Sequence, residues 1–257
     1  RCGIGNWTNM MTTRLLCWIR RFVLLVLVFF IAPALASAAW WTVQDRPHSW
    51  RDANWRSSGL LPATPARDDV SILVLAARTG GLKGALSVHS WIVIKRPGQT
   101  TYERYDKVGW GQPVRRNAYD ADGYWYSNKP WIVGSVSSET ARELLPEVDA
   151  AIAAYPNNRR GGYTIWPGPN SNSFVAHALT AVPDLAITLP PTAVGRDYRP
   201  GLLAVDIAPD WQDVHVSLGG YAGFAVGTRS GLELHFLGLV TGIDVFHPAL
   251  KLPGFGR

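Results

Sequence analysis

Residues 85–95 read ALSVHSWIVIK, and the fold class turns on this run. Val88, Ile92, Val93 and Ile94 are β-branched, and neither Gly nor Pro interrupts them. A Gly-rich turn at Thr79–Gly84 precedes the run, and Arg96-Pro97-Gly98-Gln99 follows it. An apolar run with such borders reads as a strand. Thr101–Val108 (TYERYDKV) then forms the second arm of a hairpin, and Ser71–Ala77 (SILVLAA) is a strand upstream. Further on, Val148, Ile152 and Tyr155 share one face of a helix over Ser137–Tyr155, capped by Ser137 or Ser138. Pro146 predicts two short helices there, or one kinked helix. A short strand at Tyr163–Trp166 and the turn Pro167-Gly168-Pro169 lead to a helix over Asn170–Val182, stopped by Pro183. Short strands fill Leu202–Phe246. Strands, then helices, then strands predict an α+β fold: an antiparallel sheet with a few packed helices.

Composition narrows the function classes. The chain has 257 residues, 17% charged and 47% hydrophobic, with 12 Trp. These values exclude a disordered protein, a coiled coil and a collagen-like repeat. The formal charge of +6 is inflated by residues 1–39, which hold Arg1, Arg14, Arg20 and Arg21 and no acid. The remainder is close to neutral, which gives no reason to expect a nucleic-acid partner. The two cysteines are Cys2 and Cys17, so residues 40–257 offer no disulfide, thiolate nucleophile or cysteine metal site.

The N-terminal segment predicts one hydrophobic helix. The chain opens on Arg1, and Met10 or Met11 is read as the translation start. Arg14, Arg20 and Arg21 precede the apolar run FVLLVLVFFIA (Phe22–Ala32), which is followed by Pro33 and ALASAA (Ala34–Ala39). Two readings fit. One is a secretory signal with an A-x-A site at Ala34–Ala36 or Ala36–Ala38. The other is an uncleaved anchor through the eighteen residues Phe22–Ala39, with Trp40 and Trp41 at the far interface. Both place the rest of the chain outside the cytoplasm, on a periplasmic face of the inner membrane or released into the periplasm. The expected organisation is a leader or anchor at 1–39, a linker at 40–68 with one short helix at Ser49–Arg56, and a single exported domain at 69–257.

Three elements point to chemistry. Alternation places His89, Trp91 and Val93 on one face of their strand. If Lys95 pairs with Thr100, His89 lies opposite Asp106, which could fix the imidazole tautomer, and Trp91 lies opposite Arg104. The third element is Pro169-Asn170-Ser171-Asn172-Ser173-Phe174, where a hydroxyl at a helix N-terminus sits beside backbone N–H groups that favour an anion. Ser171 is the expected nucleophile, His89 its base, Asp106 the orienting group, and Asn170 or the helix N–H groups the oxyanion donors; Ser173 is the reserve nucleophile. Each residue also has a plain structural reading: a hydrogen-bonded core histidine, a surface acid and ordinary helix caps. His177 lies one helical turn beyond Ser173 as an alternative base. No metal-ligand spacing, Walker motif or dinucleotide motif occurs, so neither metal nor cofactor is expected. The aromatic stretch Tyr119–Trp131 could stack on sugars or peptides, or serve as packing.

The segments VHSWIVIK, YERYDKVGWG, YTIWPGPNSNSFV, LPPTAVGRDY and HPALKLPGFGR resemble a bacterial envelope family known only as a numbered domain of unknown function, three-seven-five-zero. The resemblance spans residues 42–257 and implies no established activity. A weaker likeness is to circularly permuted papain-like proteins of the lecithin-retinol-acyltransferase and NlpC type. In those a strand His precedes a helix start of the form Asn-Cys-x-x-Phe-Val. Asn170-Ser171-Asn172-Ser173-Phe174-Val175 is similar in spacing, with Ser171 at the Cys position, His89 at the strand His and Asp106 near the orienting polar residue. Serine in place of cysteine removes the easily activated thiolate. The resemblance therefore implies a serine-type amidase, esterase or acyltransferase acting on cell-wall peptide or lipid, or a non-catalytic envelope binding or structural module that uses the same cleft.

Overall fold

The computed structural model describes residues 5–256, so Cys2 lies outside the described residues. The fold is α+β, with two antiparallel sheets and four α-helices among the described residues. The first sheet contains β1 (Ser71–Arg78), β2 (Val88–Lys95), β3 (Tyr102–Lys107), β4 (Val114–Arg116) and β5 (Trp131–Ser137), in the order β4-β3-β2-β1-β5. Helices α3 (Ser138–Ala153) and α4 (Ser171–Ala181) cover one face, where Ile72, Val74, Ile92 and Ile94 pack against Leu145, Val148, Phe174 and Val175. The other face carries Leu73, Leu75, Trp91 and Val93, closed over by Trp125, Trp55 and Tyr119. Both faces of β1 and β2 are thus buried, which is why these strands read as unbroken apolar runs rather than alternating ones.

The hairpin register differs from the expected one. Lys95 pairs with Tyr102, not Thr100, because the turn is two residues longer. Side chains repeat every two residues along a strand, so a two-residue offset leaves each on its expected face. Extending the register sets Trp91 level with Asp106, and His89 reaches Asp106 diagonally across the pair. Two other local expectations fail. Ser49–Arg56 is not helical; Trp55 instead inserts among Tyr119, Trp125 and Tyr126, with ring centroids 4.7–5.7 Å away. Tyr163–Trp166 is a loop with no strand beside it. Of the two alternatives for Pro146, the division into two helices is not seen: α3 runs through it as one helix, with Pro146 on the exposed side, where water can hydrate the carbonyl that loses its N–H partner.

The second sheet is a meander of six strands: β6 (Leu203–Ile207), β7 (Asp213–Leu218), β8 (Ala222–Gly227), β9 (Gly231–Phe236), β10 (Leu239–Asp244) and β11 (Ala249–Lys251). Cross-strand partners point to the same side of a sheet. One row on the outer side is therefore Val205, Val216, Phe224, Leu234 and Thr241, and the next is Ile207, Val214, Val226, Leu232, Ile243 and Leu250. Glu233 and His235, on the opposite side, are buried.

Ahead of the sheets, α1 (Gly5–Val26), a π-type turn (Leu27–Ile31) and α2 (Ala32–Thr42) form a continuous helical rod; its Met11–Thr42 stretch is long and apolar enough to cross a membrane. A stripe at three- and four-residue spacing (Phe30, Ala34, Ser37, Trp41) is buried against the rest of the chain. The Ser37 hydroxyl donates to Ala85 O at 2.6 Å and the Trp41 indole to Gly81 O at 2.8 Å.

Candidate active site

The chemistry-bearing residues meet where β2 begins and α4 starts. Asn170 is the N-cap of α4: its side-chain oxygen accepts from the N–H groups of Asn172 and Ser173, and the Ser173 hydroxyl accepts from Asn170 N–H in return. The Asn170 amide spends both of its donors, on Ile165 O at 2.8 Å and Val194 O at 2.9 Å. Gly195 lies against this amide with φ +92°, and a Cβ there would come within 2.2 Å of Asn170 Nδ2, so the approach requires glycine. Asn172 joins the helix to β2, donating to Val88 O at 2.9 Å and accepting from the Ser90 hydroxyl at 2.8 Å. Ser173 is taken up by the cap and by Tyr155, whose hydroxyl lies 3.3 Å away. Of the two serines, Ser171 is therefore the one outside the cap. Asn170→Ala should lower stability by about 2 kcal/mol, since a cap and donors to buried carbonyls are lost together. Asn170→Asp, which keeps the cap acceptor but not the donors, should fail to restore the urea midpoint.

His89 and Asp106 come together as expected, with Nε2 and Oδ1 2.8 Å apart and both side chains buried. Arg104 grips the same carboxylate through Nε at 2.7 Å and Nη2 at 2.8 Å, and its guanidinium lies 3.9 Å from the Trp91 ring centroid. Burial works to raise the Asp106 pKa, but Arg104 and the His89 hydrogen bond outweigh it, leaving the carboxyl lowered to about 2. For His89, burial prevails over Asp106 and lowers the imidazole below its ordinary value, so the ring is neutral at pH 7. An ionised carboxylate can only accept, so Nε2 carries the proton and Nδ1 keeps the lone pair. The indole of Trp125 fixes the ring plane, stacking on it at 3.7 Å and 4°.

His89 and Ser171 line one cavity of about 510 Å³, within the range of small-molecule sites. No hydrogen bond joins them. Asn172 contacts the Ser90 side of β2, whereas His89 projects with Trp91 to the other side, and the cavity wraps around the start of the strand to reach both. Sequence reasoning missed several neighbours. The pKa of Tyr163 is raised by burial and partly restored by the hydroxyl and N–H of Ser171, which lie beside its phenol. Lys107, lowered to about 8 by burial, sits over the Tyr155 and Tyr163 rings at 5.3 and 5.8 Å. Trp125 and Trp166 line the cavity with indole N–H groups that have no partner among the described residues. Arg104 could have been found from its two-residue spacing to Asp106; Tyr163 and Trp166 lie in an aperiodic loop that offers no such signal. His177 packs edge-on against Tyr155 and is not among the cavity-lining residues.

Residues 69–198 match the model of a family described as a protein of unknown function (DUF3750). The chain belongs to that family. The DUF3750 match takes in the first sheet, α3 and α4, and with them His89, Asp106, Asn170 and Ser171; the second sheet falls outside it. No curated protein and no solved structure matches the chain.

Proposed function

We propose that the cavity is a hydrolase or acyltransferase site for an ester or amide. The observation that carries this reading is that His89 is held in a single tautomer by a buried carboxylate and lines the same cavity as a hydroxyl at a helix N-terminus. In this reading the Ser171 Oγ proton passes to His89 Nδ1 as Oγ bonds to the substrate carbonyl carbon. The resulting oxyanion faces the Ser171 N–H and the phenol of Tyr163. The protonated His89 then gives its proton to the leaving amine or alkoxide, and water or an acceptor alcohol releases the acyl group. Asp106 orients the ring and stabilises the imidazolium. Asn170, with both of its donors engaged, serves to hold the helix start. Substrate has to draw His89 and Ser171 closer, as catalytic hydrogen bonds commonly tighten only in the complex.

A fluorophosphonate probe tests this on the detergent-solubilised full chain. Labelling is expected in the wild type, absent in Ser171→Ala and slowed by about 10³-fold or more in His89→Ala. Its rate should fall on the acid side with an apparent pKa below 6.5, because burial lowers that of His89. Equal labelling of Ser171→Ala, or none in the wild type, would sink the catalytic reading. A second reading, a non-catalytic envelope binding module, is favoured by the missing His89–Ser171 bond and by the two unpartnered indole donors in the cavity. It expects ligand binding that survives Ser171→Ala and weakens in Trp125→Phe.

We also read the rod as an inner-membrane anchor with a cytoplasmic N-terminus, since Arg14, Arg20 and Arg21 precede its apolar run. The turn before β2, held by Ser37 and Trp41, then lies toward the periplasmic end of the helix, and the burial of Phe30, Ala34, Ser37 and Trp41 in the fold favours a retained helix over a cleaved one.

A further inference from the structure

The second sheet is built inside out for a water-soluble layer. Apart from the buried Thr241, its two outer rows contain only Val, Ile, Leu and Phe, and Val205, Phe224 and Leu234 in the first of them are 53%, 41% and 45% exposed. Its charged side, with Glu233, Lys251 and Asp213, is turned inward and ion-paired. A solvated antiparallel sheet shows the reverse pattern, apolar inside and polar outside.

We propose that the outer face of the second sheet lies against the hydrocarbon of the lipid bilayer, beside the N-terminal helix. The inference rests on the reading of that helix as membrane-spanning, and on two further observations. The first is continuity. Phe236 continues the outer face, through its pairing with Ala222 and Leu239, and its ring makes edge contacts with Phe22 at 6.5 Å and Phe30 at 5.9 Å. Both helix residues belong to the apolar run between Arg21 and Trp40, so the sheet touches the helix at hydrocarbon depth. A sheet fixed there cannot present that face to water while the helix spans the membrane. The second is the rim of the face. Exposed Trp211 and Phe246, in the turns at the far end, extend the apolar surface; aromatic rings of this kind favour the membrane interface.

The test uses the full chain with Cys2→Ser and Cys17→Ser, reconstituted in vesicles of phosphatidylcholine and phosphatidylglycerol. Nitroxides are placed at Leu234→Cys and Val205→Cys on the sheet. Leu24→Cys on the exposed side of the helix and Arg56→Cys on an exposed loop serve as references. Collision with oxygen is compared with collision with a water-soluble nickel chelate. The sheet labels should share the oxygen-dominated ratio of Leu24→Cys, reversed from that of Arg56→Cys. Sheet labels that match Arg56→Cys, with Leu24→Cys still in lipid, would overturn the insertion alone. A Leu24→Cys label in water would overturn the membrane reading beneath it. Labels shielded from both reagents, with spin–spin broadening between copies, would assign the face to a second chain and also overturn the proposal. Photolabelling of the unsubstituted chain with a bilayer-dissolved carbene precursor guards against misfolded variants. Peptides spanning 203–207 and 231–236 should carry the label; their absence beside a labelled helix would refute the insertion.

Discussion

Replacing Asp106 with alanine is expected to remove about 3–5 kcal/mol of folding free energy, read as a lower urea midpoint at unchanged slope. The Asp106 and Arg104 side chains are 0% and 1% exposed, so truncating the carboxylate strands a guanidinium between Trp91 and Tyr119 with no route to water. The double variant Arg104→Met with Asp106→Leu should lose less than Asp106→Ala alone, because it leaves no orphaned charge. A loss below about 1 kcal/mol in the single variant would mean that Arg104 finds solvent and that the site is not closed. Acid should act on the same pair. The Asp106 carboxyl is lowered from 3.8 to about 2, so its contribution is complete above 3.8 and fades as the pH falls through about 2. That contribution is about 2 kcal/mol. His89 acts in the same direction: its pKa is lowered by burial, so below 6.5 the unfolded chain takes up a proton that the folded ring resists.

Glu233→Ala should be comparably severe, at about 3–5 kcal/mol, and its effect should be local to the second sheet. Glu233 is fully buried and accepts from Arg196, Lys251 and His235, which come from the loop after α4, from β11 and from β9. Burial alone would raise its pKa, and Arg196, His235 and Lys251 together hold it well below the usual carboxylate range. Removing the carboxylate leaves the charges of Arg196 and Lys251 buried together at the seam between the sheet and the loop that carries Gly195. Hydrogen exchange should therefore accelerate across residues 203–251 while β1 and β2 stay protected. Uniform acceleration in both sheets would show one cooperative unit instead, and unchanged exchange would remove Glu233 as the fastening.

Much of the first sheet was legible because its central strands are buried on both faces, and SILVLAA and VHSWIVIK can hardly be anything else. The His89–Asp106 contact was legible for a subtler reason. Period-two alternation survives a register error of two residues, so the pairing was wrong in detail and right in face. The start of α4 was legible from Asn170 and Ser173, whose capping chemistry is local. What escaped the sequence is held by tertiary contacts. Trp55 trades a short helix for an aromatic cluster, Tyr163 reaches Ser171 from a loop without period, and Arg104 becomes the counter-ion of Asp106 only inside a closed pocket. In the second sheet, alternation in GLELHF announces two unlike faces but cannot say which one turns toward the rest of the protein. Here the polar one does.

The bonds from Ser37 to Ala85 and from Trp41 to Gly81 attach the rod to the short turn that leads directly into β2, the strand bearing His89. Few rotational degrees of freedom remain between the helix axis and that imidazole. A site on a slack tether can sweep a volume set by the tether's length; this one has a fixed height and a fixed heading relative to whatever surface receives the helix. Its reach is therefore the depth of its own cavity, and under the proposed function a substrate would have to be delivered to it, by lateral diffusion or by a partner.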